Sequence, residues 1–400
     1  MNDVERLTAA FDSGRLLRPS ADIPNIVDLA SAVASASGAT DTDFTKGAAE
    51  IAGRIGTCDH LVFIIADGLG MELVETLPRD SFLRRHLATE LRTVFPSTTS
   101  SVLTTLATAE WPGRHAVIGW DVYIPQIDAV STIIKFVRRS DDVDLTSLGV
   151  HPSTAYPAPS ILPSLSSDFL SLAPESIADS PYSRYYAGET ARLGFKTLAG
   201  AVDRVIARVE RAYGPTSTNV YWDAVDVNCH EHGTGHTSVR AAIRQIDLQV
   251  ERLSTNLPDS ATLVLTADHG HLGADKGQTH TIKQSDRLVE LLEAEPSGDK
   301  RVVQFHVRDG AEPSFRDLFR ERYDDRFALL TVDEAEELQL FGPGRLATET
   351  RRRLGSLMAI SIGADVIRYH GPTKRTGGTP SISHHSGLTP SEMRIPLIVA

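Results

Sequence analysis

Two continuous apolar runs organise the chain. His60-Leu-Val-Phe-Ile-Ile-Ala66 ends at Asp67-Gly-Leu-Gly70, and Ala261-Thr-Leu-Val-Leu-Thr-Ala267 ends at Asp268-His269-Gly270-His271. Runs of this length without polar alternation predict strands buried on both faces, as in a parallel sheet. A shorter run, Asn219-Val-Tyr-Trp222, leads into Asp223 and Asp226, and Ile395–Ala400 reads as a last strand with Pro396 near its start. Between them Val239, Ile243, Ile246, Val250 and Leu253 form one helical stripe, with Thr237 or Ser238 placed to cap it. Leu193, Leu198, Ala201, Val205 and Val209 predict a second helix.

This alternation predicts an α/β fold: a mostly parallel central sheet with helices on both faces. Ligands in such sheets bind beyond the carboxyl ends of the strands, where the three runs here place Asp and His. Residues 1–57 read as a peripheral helical lead-in, and 58–400 as one domain. Two stretches break the pattern and read as inserted caps over the sheet. Residues 121–188 are rich in Pro and Ser, and residues 273–380 carry their own strand (302–307) and charged helices near 314–323 and 332–340.

The chemistry-bearing groups fall in four separated clusters: Asp67; Asp226 with His230; Asp268-His269; and His384-His385. Carboxylates and imidazoles brought together are costly to desolvate unless cations join them. Their oxygen and nitrogen donors suit Zn²⁺ first and Mn²⁺ second. Asp226 and His230, four apart, reach one ion from a single helical turn. Asp268 and His269 can do so only if the backbone turns sharply, which Gly270 would permit. Pro96 followed by Ser97-Thr-Thr-Ser-Ser101 predicts hydroxyls at a helix start, where free N–H groups and the helix dipole favour an anion. A hydroxyl there, beside a metal, is a plausible nucleophile.

The order Asp-Gly, Phe-Pro-x-x-Thr, Asp-x-x-x-His, Asp-His-Gly and a late His-x-Gly-Leu resembles the alkaline phosphatase superfamily. Its type I phosphodiesterase/nucleotide pyrophosphatase branch is the most similar, over about Leu61–Ala400. The resemblance implies that Thr99 is the nucleophile and that two divalent metal ions assist it. Asp67, Asp268 and His269 would hold the ion that activates Thr99, with Thr99 itself a ligand. Asp226, His230 and His385 would hold the second, His385 being preferred to His384 because His385-Ser-Gly-Leu matches the late motif. It also implies hydrolysis through a phosphothreonine, with phosphodiesterase or nucleotide pyrophosphatase activity ahead of phosphomonoesterase or phosphonate hydrolase. A metal-holding protein without catalysis is the alternative from another class.

One departure bears on the substrate. Nucleotide pyrophosphatases carry an Asn 21 residues after the threonine to touch a phosphate oxygen; that position here is Trp120. The Ser100 backbone N–H is one replacement, and Trp120 either faces a base or packs. A sulfatase is disfavoured because neither Cys58 nor Cys229 carries that branch's Pro and Arg.

Composition adjusts the picture in two places. Net charge is −12, from 52 acidic and 40 basic residues, which disfavours a nucleic-acid duplex as partner but not a small phosphorylated substrate such as a nucleotide. Two cysteines, no apolar leader and no membrane-length run point to a cytoplasmic protein with no membrane partner. The remaining histidines read as supporting or surface groups: His232, His236 and His271 beside the clusters, and His115 in a turn. Asp223 is a weaker alternative to Asp226, both cysteines read as buried, and Arg351–Arg353 as a solvated helix face.

Overall fold

The computed structural model describes residues 2–40, 44–371 and 381–400. Its strands, in chain order, begin with β1 (His60–Ala66), β2 (Leu87–Arg92), β3 (Asp121–Ile124), β4 (Ala129–Thr132), β5 (Val137–Arg138) and β6 (Asp168–Pro174). They continue with β7 (Ala191–Phe195), β8 (Thr216–Trp222), β9 (Ala261–Thr266), β10 (Leu272–Gly273), β11 (Thr279–Lys283) and β12 (Ser297–Gly298). The last are β13 (Val302–Phe305), β14 (Phe327–Thr331), β15 (Leu357–Ser361), β16 (Val366–His370), β17 (Ser383–His384) and β18 (Arg394–Val399).

The central sheet has the order β2–β18–β9–β1–β8–β6–β7. β1 lies at its middle, parallel to β8 and β9, and Leu61 through Ala66 are each at most 1% exposed. Each such apolar side chain withdrawn from water contributes roughly 2 kcal/mol, which holds this stretch as the spine of the sheet. The sheet is mixed, because β18 runs antiparallel to both neighbours. Pro396 sits inside it opposite Glu90, and the β2 register shifts between Leu397 and Ile398. A residue without an N–H interrupts the ladder there, so the break is local.

The predicted stripe forms the Thr237–Asn256 helix with Val239, Ile243, Ile246, Val250 and Leu253 all buried. Its N-cap is His236 rather than Thr237 or Ser238. The helix expected to include Leu193 starts only at Leu198; Leu193 lies on edge strand β7 and is 44% exposed. Thr197 caps that helix, which separates the two elements.

The lead-in is not peripheral. Its helices Asp3–Asp12, Ile26–Ala36 and Lys46–Ile55 bury Leu7, Ile26, Leu29 and Ile51 in the cluster that contains β1 and β9. The two segments expected to cap the sheet combine. β3, β4 and β5 from the first join β12, β13, β14 and β15 from the second in one sheet, β14–β15–β13–β12–β3–β4–β5, antiparallel throughout. Its outer side has its own core of Phe305, Phe315, Phe319, Tyr323 and Phe327. Within 121–188, β6 belongs to the central sheet, paired with β8. A buried tie joins the start of β13 to the turn that leads into β18: Arg301 Nε donates to Glu392 Oε1 at 2.6 Å. Arg353, on the Thr348–Arg353 helix, donates to the carbonyls of Ala116 and Ala155. Arg353 is fully buried, so only Arg351 and Arg352 form the solvated face expected of this run.

Candidate metal centre and substrate cavity

Three strands of the central sheet deliver one carboxylate each to the same end. Asp67 follows β1, Asp268 follows β9, and Asp226 lies in the first turn of the Ala224–His232 helix after β8. Two glycines let these segments meet. A Cβ on Gly68, at φ +74°, would lie 2.9 Å from Asp226 Cα, and one on Gly270 would lie 2.0 Å from Ser391 O. At Gly270 the requirement is this close approach of backbone to backbone, which only a residue without a Cβ allows.

The first cluster is anionic and unsatisfied. Asp268 Oδ1 accepts from the amides of Gly68 (3.0 Å) and His269 (2.9 Å), while Asp67 Oδ2 accepts from the Tyr221 hydroxyl. The other oxygen of each, Asp67 Oδ1 and Asp268 Oδ2, is buried with no hydrogen-bond partner. Both lie 3.4 Å from His269 Nε2, and Thr99 Oγ1 lies 3.3 Å from the same nitrogen. His269 Nδ1 donates to the Gly270 carbonyl at 3.1 Å. A carbonyl can only accept, so in the neutral ring the Nε2 lone pair faces the oxygens. Burial first, and then Asp268 and Asp226, push the Asp67 carboxyl well above the usual range. A cation at this point removes both orphans and that penalty, so the donor set fits a divalent metal.

The second cluster makes the same point with nitrogen. His230 Nδ1 donates to Ser383 O (2.8 Å) and His385 Nδ1 to Ser97 O (3.0 Å), leaving two Nε2 lone pairs only 3.2 Å apart. Burial holds His230 down to about 4 and His385 well below the ordinary histidine value, so neither ring carries a proton to share at neutral pH. Asp226 Oδ1 is 3.3 Å from His230 Nε2 and 3.8 Å from His385 Nε2. A cation among these three atoms converts a repulsion into ligation.

His271, expected in a supporting or surface role, is buried and 2.9 Å from Asp226 Oδ1. Its Nε2–H donates to that carboxylate while Nδ1 meets Ser383 Oγ at 3.0 Å, so it orients the carboxylate. Burial raises the Asp226 carboxyl, but the His271 hydrogen bond and the nearby imidazoles hold it below the usual range. The spacing gave one clue: His271 follows the Asp-His-Gly segment on the same strand end. Asp226 also forms possible metal-holding groups with His230 and His271, and with His269 and His385.

β10 and β17 pair antiparallel, Leu272 opposite His384, and Ser97 bridges Ser386. The late motif is thereby laid across the hydroxyl segment. His385 enters the cluster, its ring stacked 3.7 Å from that of His269, whereas His384 turns toward Arg368 at 3.4 Å. Thr99 opens the Thr99–Thr108 helix, whose N-cap Thr98 makes no side-chain cap bond, so the first-turn N–H groups face the site uncapped. Ser100 is fully buried and its Oγ donates to Gly119 O at 2.7 Å; of this segment it is Thr98 and Thr99 that line the cavity. The Trp120 amide donates to Asp299 Oδ2, and Trp120 lines the cavity.

Asp223 is the N-cap residue of the 224–232 helix and also borders the cavity. His232 and His236 are exposed. His115 ends the short Pro112–His115 helix and is buried, with Nε2 3.0 Å from Thr105 Oγ1 and Nδ1 accepting from Val117 N, so the turn it stands in belongs to the core. Cys229 is buried but Cys58 only partly.

Above the clusters lies a cavity of about 1120 Å³ between the two sheets. Asp67, Thr99, Asp226, His230 and His385 form its floor; Tyr182, Tyr186 and Tyr221 stand on one side, and Asp299, Lys300 and Arg368 from the cap segments on the other. Among the described residues no helix is long and apolar enough to cross a membrane.

Residues 61–382 match the family model for type I phosphodiesterase / nucleotide pyrophosphatase. No curated protein matches the chain. Among solved structures, murine ectonucleotide pyrophosphatase/phosphodiesterase 5 is similar at 15% identity and a TM-score of 0.62, over 84% of this chain and 87% of that one. An inactive Thr-to-Ala variant of that protein in complex with AMP is similar at 14% identity and 0.61, with the same coverage. Phosphonoacetate hydrolase from Sinorhizobium meliloti with phosphonoformate is similar at 16% and 0.60, over 84% of this chain and 89% of that one. At these identities the likeness is one of fold.

Proposed function

The chain belongs to the type I phosphodiesterase/nucleotide pyrophosphatase family and is a phosphoester hydrolase; we propose that it cleaves phosphodiesters or nucleotide anhydrides through a phosphothreonine formed on Thr99. One observation carries this reading. Two orphaned carboxylate oxygens and a threonine hydroxyl surround one imidazole nitrogen at 3.3–3.4 Å, at the start of a helix.

In this reading Asp67, Asp268, His269 and Thr99 hold one divalent ion, and Asp226, His230 and His385 hold a second, with Zn²⁺ the first choice and Mn²⁺ the second. When bound, the pair supplies positive charge that lowers the hydroxyl pKa and offsets charge on the attacking and leaving oxygens. Thr99 is held in place by its position at the first helical residue. Its proton passes to water, Oγ1 attacks phosphorus, the Oγ1–P bond forms, and the bond to the leaving oxygen breaks with its electron pair on that oxygen. The uncapped N–H groups of the first turn hold a non-bridging phosphate oxygen. Water then cleaves the phosphothreonine and restores the hydroxyl. Tyr221 fixes the Asp67 carboxylate and His271 fixes Asp226, so neither carboxylate must reorganise during the reaction.

The threonine-to-alanine variant named inactive in a relative, and the AMP bound to it, support this assignment and a nucleotide as substrate. A second reading, a phosphomonoesterase or phosphonate hydrolase on the same centre, is favoured by Trp120 at the position of the family's Asn. The same proposal keeps the chain in the cytoplasm, with Cys58 and Cys229 as free thiols. Initial rates on bis(4-nitrophenyl) phosphate and 4-nitrophenyl phosphate test the choice. A diester preference that disappears with Thr99→Ala is the expected result; a rate unmoved by that substitution overturns the phosphothreonine.

A further inference from the structure

The cap side of the cavity carries two cations that nothing in the chemistry above uses. Lys300 precedes β13 and Arg368 lies on β16; both border the cavity that holds Thr99 and Asp226. They converge on one residue: Lys300 Nζ donates to Ser381 Oγ at 3.3 Å and Arg368 Nη2 to Ser381 O at 2.7 Å. Arg368 Nη2 also lies 3.4 Å from His384 Nε2. Among the described residues their hydrogen bonds go to a hydroxyl, a carbonyl and an imidazole, not to a carboxylate. Arg368 Nε is buried with no partner at all.

Two cations placed together and partly desolvated are electrostatically unsatisfied. Burial, and then Arg368 beside it, pulls the Lys300 ammonium down to about 8, although Asp299 and Asp121 act in the opposite direction. Elsewhere in the second cap segment buried guanidinium groups are satisfied: Arg301 by Glu392 and Arg353 by Glu349 and three carbonyls. The unsatisfied pair is the one that faces the cavity. It stands behind His384, whose ring centroid is 6.4 Å from that of His230, and so borders the second cluster.

We propose that Lys300 and Arg368 form a subsite for a second anionic group, carboxylate or phosphate, on a small substrate whose phosphoryl group reacts at Thr99. Lysine offers a point charge, and Arg368 offers its free Nε–H together with its fork, the donor geometry that planar or tetrahedral oxyanions accept. An anion there gives the orphaned Nε–H a partner and relieves the mutual repulsion. The substrate class is thus a phosphate or phosphonate that carries a further negative group, as in a phosphoanhydride or a phosphonocarboxylate. This rests on the phosphohydrolase reading and narrows it.

The test is competitive inhibition of the metal-loaded enzyme, at buffered free metal, on whichever nitrophenyl ester it turns over. Methylphosphonate presents one headgroup; phosphonoacetate adds a carboxylate, and methylenediphosphonate adds a second phosphonate. Either or both of the last two should bind at least about tenfold more tightly than methylphosphonate, and which one does so identifies the preferred anion. That advantage should shrink about tenfold in Lys300→Gln and in Arg368→Gln, and Lys300→Arg should restore most of it. Equal affinity for all three in the native enzyme, or equal weakening of all three in the variants, overturns the subsite. Calorimetric titration of the same three compounds separates the two readings. An anion preference without turnover on any ester sinks the hydrolase reading alone, and turnover without a preference sinks the subsite alone.

Discussion

The floor and the cap wall of the cavity are built with opposite deficits. On the floor, three carboxylates and three imidazoles converge with two carboxylate oxygens unpartnered and two nitrogen lone pairs 3.2 Å apart. On the wall, Lys300 and Arg368 converge with a guanidinium N–H unpartnered. His384 stands between them, 3.4 Å from Arg368 and with its ring 6.4 Å from that of His230. The floor calls for cations and the wall for an anion, and a phosphorylated ligand bound over metal ions answers both. The chain's charge of −12 therefore says little about its ligand, since the local field changes sign between the two surfaces.

Four outcomes sharpen that contrast. The largest falls on the floor: Thr99→Ala lowers kcat by roughly 10³-fold or more with metal content kept, read by single-turnover kinetics and elemental analysis. Next comes the tie between the sheets. Arg301→Met leaves Glu392 buried without its charge partner and costs about 3–5 kcal/mol in denaturant unfolding, enough to loosen the wall from the floor. Smaller is His271→Ala, which leaves Asp226 unoriented. It weakens binding of the ion at Asp226, His230 and His385 by about 10–100-fold in metal-buffer titration, while the ion at Asp67 and Asp268 is retained.

The smallest effect is one of pH. Burial raises the Asp299 carboxyl from its ordinary 3.8 to about 7. A carboxyl raised on folding contributes stability that is complete below about 4 and is lost as pH climbs through about 7. The melting temperature of the metal-free native chain, measured relative to Asp299→Asn, should fall over that window and then level off. A flat difference would mean that Asp299 is not buried beside Thr98 and Trp120 as described.

Much of the floor was legible in sequence, and almost none of the wall. β1 and β9 announce themselves because strands buried on both faces need unbroken apolar runs, and their Asp residues follow directly. The Asp226–His230 spacing belongs to one helix, so local geometry sufficed. The second sheet is different. Its strands are two to five residues long, and β3 meets β12 across some 175 residues, so no local period marks them. β6 hid among prolines for the same reason, and Leu193 imitated a helical position because one exposed leucine fits any period. Arg353 shows the limit most clearly: two arginines of that run are solvated, while the third is buried because carbonyls from residues 116, 154 and 155 happen to face it. Lys300 and Arg368 acquire meaning only when Ser381 brings them together.

The central claim, that the floor is completed by cations, is tested most directly by counting them. Elemental analysis of the purified chain after dialysis against trace Zn²⁺ or Mn²⁺ should find about two ions per chain. Asp268→Asn, which removes a charge only from the first cluster, should bring that to about one. Absence of bound metal in the native chain, or a stoichiometry indifferent to Asp268, would contradict the account.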